Sequence, residues 1–439
     1  MDIPRRLSLS WLARIRHLPL SDANWSYSRP LHEDDPVQGW KLHVSATILS
    51  AAEVFARAEP ILQKENALFK VPCRLELLKS LNSGLTDFSQ IGKFLTIYPR
   101  SEDEAVKLAR ELHRATRGLC GPRIPFDARY REKSLVYYRY GVFRRSVDDT
   151  SGFINGAAGR RYRDKRAPGR AVPSWLQDPF QKSEAINSKR RCPPLRDLFV
   201  FKAKAQRGKG GVYEAVDLSV PPVRRVIVKE GRRHGETNWD GRDGYALVRH
   251  EAQVLRKLRA AGLPVPEIFR EFTQNGNRYL ILERIPGRPL LAAKRVQPSR
   301  ISWRRAERIL EQLEPLLSRM HRAGWTWRDC KPSHLLSHEG ILRLIDFEGA
   351  CRTDQTGSLP WSSPDYIPPS SRGKFSRRVG TLEDDYALGV IAFQFGAGIF
   401  PPAATRRRTA LYRRTGCPDD LREKIDRLLR SKISRHRVK

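Results

Sequence analysis

A chain of 439 residues with 40% apolar content holds enough material for two or three ordinary cores, so a single compact unit is not expected. The formal charge of +34, from 82 basic against 48 acidic side chains, raises nucleic acid as a partner. The basic clusters at 159–170, 188–191 and from 405 to the end hold only Tyr162 and Tyr412, not aromatics interleaved as a stacking platform, and no zinc-finger or RNP-like pattern, so no specific nucleic-acid partner is expected; the charge suits long-range attraction of an acidic peptide.

The first twenty residues contain no apolar run long enough for a signal peptide, and the apolar stretch LGVIAFQFGAGIF is too short to span a bilayer. A soluble, intracellular protein with no membrane span is expected. The six cysteines, Cys73, Cys120, Cys192, Cys330, Cys351 and Cys417, form no CxxC pair and no Cys/His cluster, which argues for free thiols and no zinc.

In chain order, residues 1–29 read as an N-terminal extension. A strand follows at 39–46, GWKLHVSA, with Trp40, Leu42 and Val44 on one face and Lys41, His43 and Ser45 on the other. A helix begins at a capping box of Ser50 and Glu53 and buries Val54, Phe55, Ala58, Ile61 and Leu62. The strand LFKVP places Lys70 opposite Phe69 and Val71, and KFLTIYP brings Lys93. A second helix, capped by Ser101 with Glu104 and stopped near Gly118, leads to LVYYRYGVF and Arg139. Between 142 and 195, Gly, Pro, Arg and Asp displace apolar periodicity, which places a domain boundary there.

The segments GWKLHVSAT, FKVP, NSG at 82–84, GKFLTIYP, GP at 121–122 and YYRYG together resemble the lyase domain at the front of class III and class IV lanthionine (lanthipeptide) synthetases, itself similar to phosphothreonine lyases. RAPGRAVPSWLQDPF at 166–180 resembles that family's passage from lyase to kinase. β-Elimination of phosphate requires a base for the Cα proton, cations for the phosphate and an acid for the leaving oxygen. The resemblance implies Lys70 as base, His43 as acid, and Lys41, Lys93 and Arg139 as phosphate holders. A lysine base must be neutral to act, and crowding by cations lowers its pKa.

Further on, Gly208, Gly210 and Gly211 sit in a strand–turn–strand pattern whose backbone N–H groups can approach phosphates. Lys229 ends the apolar strand VIVK, which resembles the third strand of protein kinases, and that resemblance implies Glu251, in the helix HEAQVLRKL, as its ion-pair partner. YLILERIPG resembles the strand and hinge with which protein kinases hold adenine, near Glu283 and Ile285. In 325–349, Asp329 and Asp346 flank the strand LRLI: one carboxylate to take a hydroxyl proton, the other to hold a metal ion. These motifs resemble a protein kinase, with WRD for HRD and DFE for DFG. The resemblance places Lys331 near the γ-phosphate, and His334 where the family has the Asn ligand of a second metal; imidazole is a poor ligand for Mg²⁺, so Mn²⁺ is an alternative. SPDYIPPS reads as a reduced activation-segment end, and Asp385 as the buried helix-start acid that braces the catalytic loop. Leu421, Ile425, Leu428 and Leu429 fit a closing helix, with no room for a zinc-dependent cyclase.

The expected fold is α+β in two domains: the extension 1–29, a phosphothreonine-lyase-like α+β domain at 30–182, a linker at 183–195, and a bilobal protein kinase-like fold at 196–439. The resemblance implies a bacterial, cytoplasmic enzyme that uses ATP and Mg²⁺ to phosphorylate Ser or Thr of a ribosomal precursor peptide, an acidic leader being one option, and then eliminates the phosphate. Ring closure would fall to a separate cyclase, if it occurs. A Ser/Thr kinase with a vestigial front domain and a pseudokinase-type peptide-binding scaffold are the alternatives.

Overall fold

The structure, a computed structural model, describes residues 3–143, 152–156, 159–164, 166–167, 171–181, 196–292, 297–356, 361, 363–372 and 380–430. Its contacts gather into two compact units: Met1–Glu214, Lys229–Ala246 and Thr273–Tyr279 form the first, and Ala215–Val228, Leu247–Phe272 and Leu280–Lys439 the second. The basic run at 188–191, Cys192 and the last nine residues lie outside the described residues; the other five cysteines are free thiols.

The first unit begins with α1 (Ile3–Ile15), β1 (Leu20–Ser21), β2 (Trp25–Tyr27), β3 (Gln38–Val44), α2 (Ala51–Lys64), β4 (Leu68–Pro72), α3 (Leu75–Ser83), β5 (Leu95–Tyr98), α4 (Glu102–Ala115), β6 (Ala128–Arg129) and β7 (Val136–Val142). The strands form one antiparallel sheet in the order β1-β2-β4-β5-β3-β7-β6. Alternation along each strand sends Leu42, Val44, Phe69, Val71, Leu95, Ile97, Val136 and Tyr138 to one face, where they form a core with Phe55 and Leu62 of α2 and Leu108 and Leu112 of α4. Residues 3–29 are built into this unit: Trp11 of α1 is in the core with its Nε1 donating to Pro72 O at 2.9 Å, and β2 pairs with β4.

Two local expectations are corrected. Ser50 stands at the start of α2 but its Oγ donates to Cys120 O at 2.6 Å, and Glu53 pairs with Arg57 one turn on, so no capping box forms. A tertiary carbonyl within reach outcompeted the local cap. Ser101 does cap α4, accepting from Glu104 N–H at 3.2 Å, and Gly118 takes a φ of 84° just beyond its end. Ile61 of α2 is partly buried, its four expected companions fully.

The hairpin β8 (Phe153–Asn155) and β9 (Arg161–Arg163) follows. Then β10 (Leu198–Arg207), β11 (Gly210–Asp217), β12 (Arg224–Gly231), α5 (Gly244–Ala260), β13 (Ile268–Gln274) and β14 (Asn277–Glu283) supply a five-stranded sheet, β10-β11-β12-β14-β13. The second unit continues through β15 (Arg288–Pro289), α6 (Trp303–Arg322), β16 (Trp325–Thr326), β17 (Leu335–His338), β18 (Ile341–Leu344), β19 (Cys351–Arg352), α7 (Leu382–Ala397), α8 (Thr405–Thr415) and α9 (Asp419–Arg430). All but the last three residues of the apolar run LGVIAFQFGAGIF fall in α7, buried on nearly every side in the second core, as expected of a helix that is hydrophobic all round. Leu421 and Ile425 of α9 enter that core while Leu428 and Leu429 pack at its edge. Among the described residues no helix is long and apolar enough to cross a membrane.

Candidate functional site

In the first unit, strand register gathers four of the basic residues. Lys70 on β4 is paired with Thr96 on β5, Thr96 with His43 on β3, and Lys41 on β3 with Arg139 on β7. Directly paired residues point to the same face, so these side chains share the face opposite the helices. They line a cavity of about 820 Å³ together with Lys93, Tyr98, Phe143, Trp25, Asp164 and Arg166.

Three carboxyl contacts organise the cavity. Asp127, from the loop after Gly121, accepts from His43 Nδ1 at 2.5 Å and lies 3.4 Å from Lys93 Nζ. Asp164 binds Arg139 Nη2 and accepts the Val142 N–H at 3.2 Å. Asp87 accepts from Ser89 and lies 3.5 Å from Arg166. The ammonium of Lys70 rests 4.3 Å from the centre of the Trp25 ring, and that of Lys41 5.6 Å from the Tyr98 ring.

Burial beside other cations shifts the titrations. Burial, then the Arg139 charge, brings Lys41 down to about 7. Lys93 falls to about 8, chiefly through burial against the partial support of Asp127. Burial also lowers Lys70. His43 is pushed down to about 4 by burial, while the opposing pull of burial on Asp127 is outweighed by His43, Lys93 and Arg139, which hold it at about 2. The resting pair is therefore a neutral imidazole donating from Nδ1 to a carboxylate, with Nε2 free of that bond. A phosphate dianion brought to this cluster favours protonation of the imidazole.

The sequence reading did not find Asp127, Asp164, Arg166 or Trp25. Asp164 and Arg166 lie within a basic stretch that read as boundary, and Trp25 within the presumed extension.

In the second unit, the loop after β16 and the residues after β18 meet. Asp329 accepts from Lys331 Nζ at 2.9 and 3.0 Å. His334 places Nδ1 3.4 Å from Asp329 Oδ2 and Nε2 3.3 Å from Asp346 Oδ2. Ligand atoms of Asp329, His334 and Asp346 all lie within 4.8 Å of one another, as do those of Glu251, Asp346 and Glu348. The sequence reading did not find Glu348. Hard carboxylate oxygens at this spacing fit a divalent cation.

Trp327 stacks on Phe347 at 5.4 Å and donates from Nε1 to Asp346 O at 2.8 Å, and Glu251 accepts the Phe347 N–H at 3.0 Å. These contacts fix Asp346 at a φ of 70° and leave its carboxylate turned toward His334. The residue that braces the loop is Asp384, not Asp385. Its carboxylate accepts the N–H groups of Trp327 and Arg328 at 2.8 and 2.7 Å and binds His321 Nε2 at 2.9 Å, whereas Asp385, one position round α7, bonds the Thr381 hydroxyl. Neighbouring acids on a helix point in different directions, and three in a row at 383–385 hide which one faces inward.

Of the remaining expected residues, Gly208, Gly210 and Gly211 sit at the β10–β11 turn and Lys229 is buried on β12. Glu251 is buried on α5; Glu283 ends β14 with its N–H bonded to Glu267 O at 2.9 Å, and Ile285 is buried.

Residues 17–191 match the family model described as RamC, N-terminal domain, and residues 207–427 match the protein kinase domain model. The chain is 28% identical over 387 residues to a probable SapB synthase of Streptomyces coelicolor, covering 84% of this chain and 40% of that protein. It is 31% identical over 212 residues to serine/threonine-protein kinase F of Synechocystis (43% of this chain, 41% of that one), and 30% over 206 residues to serine/threonine-protein kinase PknA of Mycobacterium tuberculosis (45% and 46%). The chain thus spans less than half the length of these relatives. The kinase match takes in half of the 439 residues and contains the Asp329, Asp346 and Lys229 motifs, and on that ground the chain belongs to the protein kinase domain family, which implies ATP and a divalent metal ion.

Proposed function

We propose that this protein is a two-step peptide dehydratase of lanthipeptide type. Its kinase unit transfers the γ-phosphoryl group of ATP to a Ser or Thr hydroxyl of a peptide, and the cavity of the first unit removes that phosphate by β-elimination. The reading is supported most by one observation: three cations and a histidine held by strand register on one face of a sheet, with Lys93 lining the same cavity, in a chain that also carries a kinase domain.

In the first step Asp329 receives the hydroxyl proton, and Lys331, already bonded to it, holds the transferred phosphoryl oxygens. Asp346, with Asp329 and His334 beside it, would hold the divalent ion, which screens the phosphate charge when bound. Gly208, Gly210, Gly211, Lys229 and Glu251 are assigned to the nucleotide phosphates, Glu283 and Ile285 to adenine. In the second step Lys70, neutral, takes the Cα proton; the Cα–Cβ double bond forms as the Cβ–O bond breaks, and phosphate leaves with a proton from His43. Lys41, Lys93, Arg139 and Arg166 neutralise the phosphate, and Asp127 orients the imidazole through Nδ1.

Incubating the protein with ATP, Mg²⁺ and a peptide rich in Ser and Thr tests the reading: mass spectrometry shows loss of one water per modified site, and a peptide that is never changed in mass removes it.

The pH dependence has a definite sign. Lys41 and Lys93 are charged below about 7 and about 8 respectively, so their grip on a phosphate weakens as pH rises through that window. The KM for a phosphopeptide should climb between about pH 7 and 8 in steady-state elimination assays. Lys93→Met should raise KM at low pH and flatten the upper part of the climb; a KM that falls with pH in the parent contradicts the assignment.

A further inference from the structure

The turn from β10 to β11, Arg207-Gly208-Lys209-Gly210, is enclosed by backbone. Gly208 N–H donates to Ser83 O, at the end of α3, at 2.9 Å, and a Cβ on Gly208 would lie 1.7 Å from Asn82 O. The Lys209 carbonyl accepts the Arg232 N–H at 2.8 Å, and a Cβ on Gly244 would lie 1.7 Å from that carbonyl. The Lys209 N–H donates to the carboxylate of Glu236. Glu236 adopts a φ of 47°, in the region that side chains disfavour, and its Oε2 is buried with no hydrogen-bond partner. Burial pushes the Glu236 carboxyl above the usual carboxylate range, against the opposing positive charge of Lys79, Lys209 and Arg207.

Two successive N–H groups of a glycine-rich turn are the donors with which such a turn cradles an anion. Here both are engaged, one by a carbonyl of α3 and the other by a carboxylate. The contact extends toward the phosphate cavity. Asn82, buried, donates from Nδ2 to Ala46 O and accepts the Gly92 N–H at Oδ1, both at 3.0 Å, and Gly92 precedes Lys93 on the cavity wall.

We propose that these contacts form an autoinhibitory latch, in which Glu236 takes the place of a nucleotide phosphate and α3 holds the turn shut until nucleotide draws the amides away. The proposal rests on the reading of this turn as a phosphate cradle. Nucleotide binding breaks the Gly208–Ser83 bond and loosens the Asn82–Gly92 anchor that carries Lys93. By reciprocity, a phosphate gripped by Lys93 favours the latched form and weakens nucleotide binding. Elimination of one phosphate and capture of the next nucleotide are thereby made to alternate.

Two measurements on the full chain test this. In calorimetry with Mg²⁺ and β,γ-imido ATP, Glu236→Gln, which keeps an acceptor for Lys209 but removes the charge, binds about tenfold tighter than the parent, by removal of a competing closed state. In hydrogen exchange on the unaltered protein, the same nucleotide speeds exchange of the amides from 82 to 93. Equal or weaker binding by Glu236→Gln overturns the latch, as does unchanged or slowed exchange at 82–93 with nucleotide bound. If neither protein binds nucleotide, both the latch and the nucleotide reading fall, and elimination from a synthetic phosphopeptide by the same sample shows whether the cavity's assignment stands.

Discussion

Lys70→Ala should convert the protein from a dehydratase into a kinase that accumulates its own intermediate. With ATP, Mg²⁺ and a substrate peptide, the variant's product should gain about 80 Da per modified Ser or Thr, the mass of a phosphate group, where the parent's product loses water. The argument rests on assignment. Lys70 stands on β4 and lines the cavity of the first unit, whose lining includes no residue assigned to phosphoryl transfer, so its loss should leave the first reaction untouched. Its ammonium is held over the Trp25 ring, and burial makes it easier to deprotonate than an exposed lysine. Removing a general base costs about 10²- to 10⁴-fold in rate, enough to leave the phosphopeptide standing. Changes at Lys41, Lys93 or Arg139 should act in the same direction but less completely, since each removes one of several contacts to the phosphate. A Lys70→Ala protein that still yields dehydrated peptide removes Lys70 from the role. A parent that accumulates phosphopeptide and never dehydrates it marks the chain as a kinase with a vestigial front domain.

The reverse outcome is expected of Asp329→Asn. Phosphorylation should fall by about 10²- to 10⁴-fold, because the amide cannot take the hydroxyl proton and no longer pairs as an anion with Lys331. Elimination from a chemically phosphorylated peptide should proceed at the parent's rate. Assayed by radiolabelled phosphate transfer and by mass spectrometry on the same sample, the two variants should complement each other when mixed with peptide and ATP. Kinase activity that survives in Asp329→Asn displaces this residue from the reaction, and loss of both steps in either variant shows that the chemistry is not divided in this way.

Much of the candidate site is legible in residue types, because the proposed reactions would need them. Lys41, His43, Lys70 and Arg139 sit on strands whose period-2 pattern is plain, and their register follows once the sheet order is known. Asp329 and Asp346 declare themselves by flanking a short apolar strand. The supporting carboxylates are harder to see. Asp127 arrives from a loop with no periodicity, 84 residues from His43, and only folding brings the two within 2.5 Å. Asp164 and Arg166 were masked by their own neighbours, since a stretch crowded with Arg, Lys and Gly reads as solvated boundary whether or not two of its side chains turn inward. The choice between Asp384 and Asp385 depends on about 100° of helix rotation, which depends on packing against the loop at 327–328. The Ser50 and Glu53 pair had the right spacing for a local cap and lost to a longer-range acceptor.

Because β5 lies between β3 and β4, the proposed base and acid are separated by two strand spacings, about 10 Å between backbones, with Thr96 as the spacer. That interval is a ruler set by main-chain hydrogen bonding rather than by side-chain fit. Substitutions in the core beneath the sheet can therefore drift, altering how firmly the domain holds together, without changing the gauge to which a substrate must be cut.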